Sequence, residues 1–455
     1  MSIYQDQLNV GFSKVCEVHG IDSLRDVQEF CLRHLVETKR DILACLPTGF
    51  GKSIIFQAWP TLCQHLEGFP ADPILLVVCP LLSIMEDQVK YLTAKGISAA
   101  FAGKNETTDA DIAAGRFSIV FGSPELLVGV KKWRDMLQTD VYRERLIGMA
   151  VDEVHTIVQW GERHGSDAPF RKWCGLVGEL RSLLPISLPV LALTATASLT
   201  TRKKIMKLLG LQKCLEVVRS PDRSNIRLAV KKVSSDVTNT FSWLINELMV
   251  KGPQTARTVI YCKSISDCSM LFHDVFLASL GQRSVHPPGT SNVSSNRVVD
   301  MFHSMTSDSV KNNIIQTLRD PQSVLRVVIA TSALGMGVDL KNVQHVVQYG
   351  PPKDIESYMQ AFGRAGRDGS MSHSLILYHG KQLIGISEKM REYVSNVASC
   401  RRTQLMNLFD GEVVQPLAVS MLVVTIVRKC VSARKFVMVM PVTWNFMLQS
   451  QLHTK

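Results

Sequence analysis

The chain has 455 residues, 46% of them hydrophobic and 20% charged, which excludes a largely disordered protein and allows more than one domain. Its formal net charge of +11 favours a polyanionic partner such as nucleic acid, although a basic enzyme of another class would share this balance.

The cysteines and the first residues indicate an intracellular protein. None of the 11 cysteines forms a CxxC pair, and Cys45 and Cys79 fall inside apolar runs, so we expect buried thiols in a reducing compartment and no disulfide framework. The first residues, MSIYQDQLNVGF, lack the charged and apolar regions of a secretory signal. The longest uncharged apolar stretch, residues 413–427, contains a proline and is too short to span a bilayer, so we expect no membrane partner.

Short apolar runs alternate with helix-length segments along the chain. Near-continuous apolar runs are typical of strands that are buried on both faces of a parallel sheet. The first half contains DILACLP, ILLVVCP, FSIVFGS, LIGMAVDE and VLALTAT, and the second half contains RTVIYCK, LRVVIATS, VQHVVQYG and HSLILYH. We therefore predict an α/β protein with two tandem parallel sheets, a connection over residues 215–252 and a surface loop at residues 284–296.

The segment LPTGFGKSII, residues 46–55, combines a strand end, a glycine-containing turn and the start of a helix. Gly49 and Gly51 allow backbone N–H groups to point at phosphate oxygens, and the N-terminus of the helix adds partial positive charge. Lys52 would reach the β- and γ-phosphates of a nucleotide, and the hydroxyl of Ser53 would be a ligand of Mg²⁺. The usual pattern begins with a glycine that this segment lacks, so an ordinary strand-to-helix turn with an exposed lysine is the alternative.

The run LIGMAVDEVH predicts a buried strand that ends in Asp152, Glu153 and His155. At the carboxyl end of a parallel strand these groups would face a ligand crevice. Asp152 would then hold Mg²⁺, and Glu153 would orient and polarise an attacking water. A solvated acidic strand end is the alternative, but we favour two halves of one nucleotide-hydrolysing site on neighbouring strands.

In the second half, SYMQAFGRAGRDG places Gln360, Arg364 and Arg367 at helical spacing. A guanidinium group directed at the γ-phosphate would neutralise the charge that develops during phosphoryl transfer. A basic helix on a basic protein is the alternative. The glycine-rich strand end ATSALGMGVDL, one strand earlier, favours a nucleotide that is held between two domains, with Lys52 and Arg367 meeting across a shared cleft.

These segments resemble superfamily 2 helicases, and within them the RecQ family, over roughly residues 20–411. GIDSLRDVQEF resembles the adenine-recognition motif, LPTGFGKS the phosphate loop, VVCPLLSIMEDQV motif Ia, and VDEVHTIVQWG the DEAH-type box with its aromatic-rich loop. LALTATA resembles motif III, SPDRSNIR the RecQ interdomain signature, and VIYCKS, VVIATSALGMGVD and QAFGRAGRDG motifs IV, V and VI. The resemblance implies two RecA-like domains, residues 1–215 and 216–385, and an incomplete helical C-terminal segment, residues 386–455.

The resemblance also implies ATP and Mg²⁺ as cofactors and single-stranded and duplex DNA as partners of a monomer. The implied nucleotide-binding residues are Arg25, Gln28, Thr48, Gly49, Gly51, Lys52, Ser53, Gly337 and Asp339, with Ser53 and Asp152 toward Mg²⁺. The implied DNA-binding residues are Pro80, Ser83, Gln159, Trp160, Phe170, Arg171, Ser304 and Thr331. The implied activity is unwinding of DNA with 3′→5′ polarity in repair, recombination or replication. The implied location is a nucleus, with cytoplasm as the alternative.

Trp160 follows the acidic box closely, and an exposed indole there would stack on an unpaired base. A core tryptophan is the alternative. The loop after Trp160 is longer than the family pattern, with Phe170 and Arg171 as the nearest equivalents of its aromatic and basic residues.

The end of the chain departs further from the family. Cys400 is followed only by Cys430, and two thiolates cannot close a tetrahedral zinc site, so we predict no zinc and a buried or partly exposed thiol at Cys400. An incomplete C-terminal segment leaves three further possibilities open. The chain could be a DNA-stimulated ATPase that does not unwind, an RNA helicase, or a truncated binding module.

Overall fold

A computed structural model describes residues 3–162, 170–185, 187–234, 236–335, 340 and 342–410. The chain divides into two compact units: Met1–Pro221 forms the first, together with Phe409 and Asp410 at the end of the last described helix, and Asp222–Leu408 forms the second. Each unit contains one sheet in which every paired strand is parallel to its neighbour. The predicted fold class, α/β with two tandem parallel sheets, is therefore confirmed.

The sheet of the first unit has seven strands in the order β3-β4-β2-β5-β6-β1-β7. The strands are β1 (Ile42–Cys45), β2 (Ile74–Val78), β3 (Ala99–Phe101), β4 (Ile119–Gly122), β5 (Leu146–Val151), β6 (Val190–Thr194) and β7 (Leu215–Val218). The central strands are buried along their whole length, as their apolar sequences predict.

The sheet of the second unit has six strands in the order β10-β11-β9-β12-β13-β8. The strands are β8 (Ile226–Lys232), β9 (Thr258–Cys262), β10 (Val299–Phe302), β11 (Val327–Ala330), β12 (His345–Tyr349) and β13 (Ser372–Tyr378). Directly opposed residues in β12 and β13 include His345 and His373.

Helices connect successive parallel strands, because a parallel pair requires a crossover. In the first unit they are α1 (Ile3–His19), α2 (Asp26–Thr38), α3 (Ser53–Cys63), α4 (Leu82–Ala94), α5 (Glu106–Ala113), α6 (Pro124–Gly129), α7 (Lys131–Met136), α8 (Asp140–Arg145), α9 (Val154–Gly161), α10 (Glu179–Leu183) and α11 (Leu199–Leu209). In the second unit they are α12 (Val237–Lys251), α13 (Ile265–Met270), α14 (Ala278–Leu280), α15 (Asp308–Arg319), α16 (Ile355–Phe362), α17 (Glu388–Ser395) and α18 (Arg401–Asp410).

Helices cover both faces of the first sheet, and alternate residues of each strand enter opposite cores. Ile42 and Ala44 of β1 pack in one core, whereas Leu43 and Cys45 pack in the other. This division follows from the two-residue period of a strand. Cys45 and Cys79 are buried, as predicted.

All nine apolar runs form strands, so these predictions are confirmed. The prediction of a single connection over residues 215–252 is wrong, because this segment contains β7, β8 and α12. Residues 285–293 contain neither a strand nor a helix, in keeping with the predicted surface loop. Within the described part of the chain, no helix combines the length and apolar character needed to cross a membrane.

Candidate nucleotide and nucleic-acid sites

The phosphate loop connects β1 to α3, as predicted. Gly49 and Gly51 adopt φ values of +85° and +72°, a conformation that side-chain-bearing residues rarely adopt. Lys52 precedes the first residue of α3, Ser53, so the lysine and the hydroxyl lie where the partial positive charge of the helix N-terminus is strongest. Thr48 lies in the same turn and is exposed.

Arg25 and Gln28 hold the backbone of this loop. The amide nitrogen of Gln28 donates to the carbonyl oxygens of Phe50 at 3.0 Å and Gly51 at 3.1 Å. Arg25 donates to the carbonyl of Gly49 at 3.3 Å, and its guanidinium lies 5.0 Å from the ring centre of Phe50. These two residues of the adenine-recognition motif therefore bind the loop that carries the lysine.

A second amide reaches Ser53 from α4. Gln88 donates to the hydroxyl of Ser53 at 3.5 Å and accepts from the amide of Gln57 at 2.5 Å. Gln57 is buried on α3. The start of α3 and the middle of α4 are therefore linked by side chains at the phosphate loop.

Asp152 and Glu153 follow β5 directly, as predicted. Asp152 is 6% exposed, and its backbone N–H donates to the carbonyl of Val78 at 3.0 Å. Burial and then the charge of Glu153 raise the pKa of Asp152 to about 7, whereas Lys52 opposes this shift. Lys52 and Asp152 therefore lie within electrostatic reach of each other inside the first unit.

Glu153 adopts the left-handed conformation, with φ +47°, which costs a residue with a side chain about 1–3 kcal/mol. Nδ1 of His155 lies 3.3 Å from Oε2 of Glu153 and makes its hydrogen bond with the hydroxyl of Thr194 at 2.8 Å. Because that hydroxyl donates to the carbonyl of Thr196 at 3.1 Å, Nδ1 of His155 is the donor to Thr194. His155 is thereby fixed beside Glu153.

Thr194 and Thr196 were not among the predicted site residues, although LALTATA was recognised as motif III. The strand order explains their position: β6 pairs with both β1 and β5. The prediction that the lysine loop and the acidic pair follow neighbouring strands is therefore wrong by one strand. The sequence did contain a signal for Thr194, because a threonine ends a strand that is otherwise apolar.

The residues present fit a nucleotide with a divalent cation. Two buried or half-buried carboxylates, Asp152 and Glu153, raise the energy of each other's charged form, which an added cation relieves. The hydroxyl of Ser53 is an oxygen ligand of the kind that Mg²⁺ prefers. Glycines with positive φ provide the close backbone approach that phosphates require.

Four of the predicted DNA-binding residues cluster in the first unit. The guanidinium of Arg171 lies 5.0 Å from the ring centre of Trp160, and it donates to the carbonyl of Pro80 at 2.5 Å. The ring of Phe170 packs edge-on against Trp160 at 5.7 Å. Phe170 is 78% exposed, whereas Trp160 is only partly so.

Glu125 anchors this cluster and was missed from the sequence. Arg171 donates Nε to Oε1 of Glu125 at 2.7 Å and Nη2 to Oε2. Burial raises the pKa of Glu125, but the hydrogen bonds and charge of Arg171, together with hydrogen bonds from the backbone and Ser123, outweigh it and lower that pKa. The clue in the sequence was an acidic residue after SP at the start of a helix, which is too common a pattern to single out.

The other predicted DNA contacts lie on two helices of the first unit and after two strands of the second. Ser83 is exposed in the first turn of α4, and Gln159 is half-buried on α9. In the second unit, Ser304 follows β10 and Thr331 follows β11, and the N–H of Thr331 donates to the carbonyl of Phe302 at 3.2 Å. Both residues therefore lie at the carboxyl edge of the second sheet.

Gln360 lies on α16, but the prediction that Arg364 and Arg367 continue its helical spacing is wrong. The helix is capped by Asp354 at its start and ends at Phe362. Residues 363–369, which we call the arginine turn, follow the helix as consecutive turns. Within this turn Gly366 adopts a φ of +54°, and its N–H donates to the carbonyl of Val343 at 2.8 Å, so the chain cannot continue as a helix past this residue.

Side chains of the interdomain signature hold the arginine turn. Arg223 donates to the carbonyl of Gly363 at 2.9 Å and to that of Gly366. The amide of Asn225 donates to the carbonyls of Gly366 at 2.9 Å and Ser370 at 2.8 Å. Four hydrogen bonds from two side chains therefore set the course of the turn that carries both arginines.

Two predicted nucleotide-binding residues, Gly337 and Asp339, lie outside the described residues. The meeting of Lys52 with Arg367 stays a prediction. Among the described residues, no three histidine, cysteine or acidic side chains form a group that could hold a metal. Cys400 is partly exposed, as predicted, but Cys430 lies outside the described part, so the absence of zinc also stays a prediction.

Two family models match the chain. Residues 25–205 match the DEAD/DEAH box helicase model, and residues 239–369 match the helicase conserved C-terminal domain model. Solved helicases share the fold: S. cerevisiae Dbp5 bound to RNA and ADP BeF3 superposes with a TM-score of 0.60, 18% identity and coverage of 87% of this chain and 94% of that one. Mycobacterium smegmatis helicase Lhr bound to ssDNA and AMP-PNP gives a TM-score of 0.58, 17% identity and coverage of 85% and 49%.

Curated relatives are more similar in sequence. ATP-dependent helicase wrn-1 of Caenorhabditis elegans is 30% identical over 428 residues, which cover 88% of this chain and 37% of that protein. ATP-dependent DNA helicase Q1 of Mus musculus is 31% identical over 396 residues, with coverage of 82% and 55%. ATP-dependent DNA helicase RecQ of Haemophilus influenzae is 28% identical over 367 residues, with coverage of 79% and 52%.

The sheets, the phosphate loop and the two family matches define a helicase core with two RecA-like domains. The relatives are more specific: over 79% to 88% of its length the chain is similar to helicases of the RecQ family. It spans 37% to 55% of the length of these three relatives.

Proposed function

We propose that the chain is an ATP-dependent DNA helicase that moves 3′→5′ along single-stranded DNA and unwinds duplex DNA. We further propose a role in repair, recombination or replication in a nucleus. The observation that carries the proposal is the buried Asp152, whose raised pKa is opposed by Lys52 of the phosphate loop. Such a pair is typical of a nucleotide site that is completed by a cation.

ATP would be held by backbone N–H groups of the loop at Gly49 and Gly51, with Lys52 toward its terminal phosphates. Ser53 and Asp152 would hold Mg²⁺, which supplies charge neutralisation at the phosphates when it is bound. Arg25 and Gln28 would limit movement of the loop, because they bind the carbonyls of three consecutive loop residues.

Glu153 would orient and polarise the attacking water. His155 lies beside this carboxylate, with Nδ1 3.3 Å from Oε2 of Glu153, and is itself fixed by its hydrogen bond to Thr194. In the second unit, Gln360, Arg364 and Arg367 would contribute to hydrolysis, the arginines by neutralising charge on the transferring phosphoryl group.

DNA binding would be coupled to hydrolysis through α9, which begins directly after Glu153 and carries Trp160 near its end. Trp160 and the exposed Phe170 would stack on unpaired bases, an interaction worth about 1–3 kcal/mol per base. A DNA strand bound to Trp160 would then affect the position of Glu153 through α9, which is eight residues long.

The test is ATP hydrolysis with and without single-stranded DNA. We expect Lys52→Ala to reduce the rate by about 100-fold or more. Glu153→Gln should reduce the rate similarly but retain ATP binding, because the amide keeps the shape of the carboxylate. Lys14→Ala, which removes an exposed lysine of α1, is the matched control. Hydrolysis that survives Lys52→Ala would contradict the proposal and favour a binding module.

Strand displacement separates the remaining candidates. We expect unwinding of a 3′-tailed DNA duplex and no unwinding of a 5′-tailed one. An ATPase that does not unwind would hydrolyse ATP in both assays without displacing a strand. An RNA duplex tests the RNA helicase alternative, which the fold shared with RNA-bound Dbp5 keeps open.

A further inference from the structure

The C-terminal helix α18 reaches the segment that holds the arginine turn. Arg402, the second residue of α18, donates Nη1 to the carboxylate of Asp222 and to the carbonyl of Arg223 at 3.1 Å. Its Nη2 donates to the carbonyl of Ile226. The side chains of Arg402 and Asp222 are 23% and 22% exposed, so this ion pair is partly shielded from water.

The start of α18 is itself anchored in the second unit. Arg401 is 1% exposed and donates to the carbonyl of Asn396 at 2.6 Å and to that of Tyr393. Its guanidinium lies 5.5 Å from the ring centre of Tyr393. Because Arg401 is fixed by these contacts, the backbone at the adjacent Arg402 is also held in place.

The contacts form a continuous series. Arg402 binds the carbonyls of Arg223 and Ile226, and the side chain of Arg223 binds the carbonyls of Gly363 and Gly366. Burial and then the positive charge of Arg367 lower the pKa of Arg223, so these two guanidinium groups lie close together. Arg223, the residue that binds the arginine turn, therefore lies beside Arg367, which is proposed to act in hydrolysis.

We propose that Arg402 and Asp222 are positioning residues for ATP hydrolysis, which act through Arg223 on the course of the arginine turn. The proposal rests on the proposed hydrolytic function of Arg364 and Arg367. It gives the helix after Cys400 a role that requires no metal, since each contact is between side chains and backbone of the second unit.

The kinetic test uses Arg402→Ala and Asp222→Asn in the full chain. Both variants should lower kcat of DNA-stimulated ATP hydrolysis by about 10-fold or more, because a small displacement of a catalytic group is costly. The KM for ATP should change by less than about twofold, because the phosphate loop is untouched. Arg391→Ala is the matched control: this exposed arginine of α17 also donates to a backbone carbonyl, that of Leu383 at 2.8 Å. An unchanged kcat in Arg402→Ala overturns the proposal.

Hydrogen–deuterium exchange tests the structural step without using activity. Arg402→Ala should speed exchange of the amides in residues 363–369, including the N–H of Gly366, and Arg391→Ala should not. Exchange that rises evenly over the whole second unit, or does not rise, overturns the proposal. If Arg402→Ala does not fold, Arg402→Lys replaces it, because lysine keeps the charge opposite Asp222 but loses the planar fork that serves three acceptors.

The outcomes separate this proposal from the proposed function. A parent chain that does not hydrolyse ATP contradicts the proposed function, and the exchange measurement still decides whether Arg402 holds the turn. A parent that hydrolyses ATP and variants that match it contradict only the positioning role.

Discussion

Arg171 binds Glu125 through two parallel hydrogen bonds while its guanidinium lies over the ring of Trp160. The carboxylate therefore determines where the cation beside the indole is held. An arginine proposed to meet DNA is in this way part of an internal framework that also includes the carbonyl of Pro80.

Replacing Glu125 by alanine should release this framework. We expect a loss of about 1–2 kcal/mol in the stability of the first unit, because charged hydrogen bonds are removed. We also expect single-stranded DNA to bind more weakly and to stimulate ATP hydrolysis less. Glu106→Ala is the control, since Glu106 also lies in the first turn of a helix but is exposed. DNA binding and stimulation that match the parent in Glu125→Ala would contradict the role of the framework.

Gln28→Glu should damage the phosphate loop more than Gln28→Ala. The amide nitrogen donates to two loop carbonyls, and a carboxylate oxygen in its place would repel them. In Gln28→Glu we expect the KM for ATP to rise by about 10-fold, equivalent to about 1.4 kcal/mol, and in Gln28→Ala by less. The measurement is steady-state hydrolysis over a range of ATP concentrations. Gln138→Glu, at an exposed position, should leave KM unchanged.

The opposed residues His345 and His373 should make the second unit sensitive to acid. Burial, followed by the charges of His373 and then Lys251, lowers the pKa of His345 to about 3, and burial followed by the charge of Arg227 lowers that of His373 to about 4. In the unfolded chain both would titrate near 6.5. The stability that their neutral forms contribute is therefore complete above about pH 6.5 and is lost as the pH falls toward the folded values.

We expect the free energy of unfolding of the second unit to fall below pH 6.5 by up to about 1.4 kcal/mol per pH unit for each histidine. Fluorescence of Trp243, whose ring lies 5.9 Å from that of His345, provides a probe. His373→Gln should make the pH dependence shallower, and His273→Gln, at an exposed position, should not. Equal slopes in all three proteins would contradict the assignment.

Gly148→Ala should destabilise the first unit. A Cβ at this position of β5 would come within 2.4 Å of the indole of Trp59, which is fully buried, and 2.8 Å of the carbonyl of Pro189. Overpacking of this kind costs about 1–3 kcal/mol. Chemical denaturation should show the loss, whereas Gly380→Ala, where a Cβ meets nothing within 4 Å, should lie within about 0.5 kcal/mol of the parent.

The strands that the sequence pattern revealed and those that it missed differ in their place in the sheets. All nine predicted strands are interior, and the four that were missed, β3, β7, β8 and β10, are the edges. An interior strand is buried on both faces and reads as a continuous apolar run, whereas an edge strand tolerates charge. Glu216 in β7 and Asp300 in β10 interrupt the pattern in this way.

The candidate site shows the same division. The positions of Lys52, Ser53, Asp152 and Glu153 after buried strands were predictable, because the apolar runs before them define those strands; their roles at a nucleotide stay predictions. Glu125, Gln88 and Arg402 were not, because each acts on a residue distant in the sequence. The course of residues 363–369 was misjudged for a related reason: the N–H of Gly366 bonds to the carbonyl of Val343, which is distant in the sequence.

The bond between Gln88 and Ser53 gives α4 a mechanical consequence. The helix carries Ser83 on its exposed first turn and Gln88 further along, so a displacement of α4, for example by a ligand at the proposed DNA contact Ser83, would also move Gln88. A rotation of about 20° would shift a side-chain tip by roughly 2 Å, enough to break a hydrogen bond. Ser53 would then lose its hydrogen bond to Gln88. Such a movement of α4 would link nucleic-acid binding to the proposed nucleotide site by a route separate from α9.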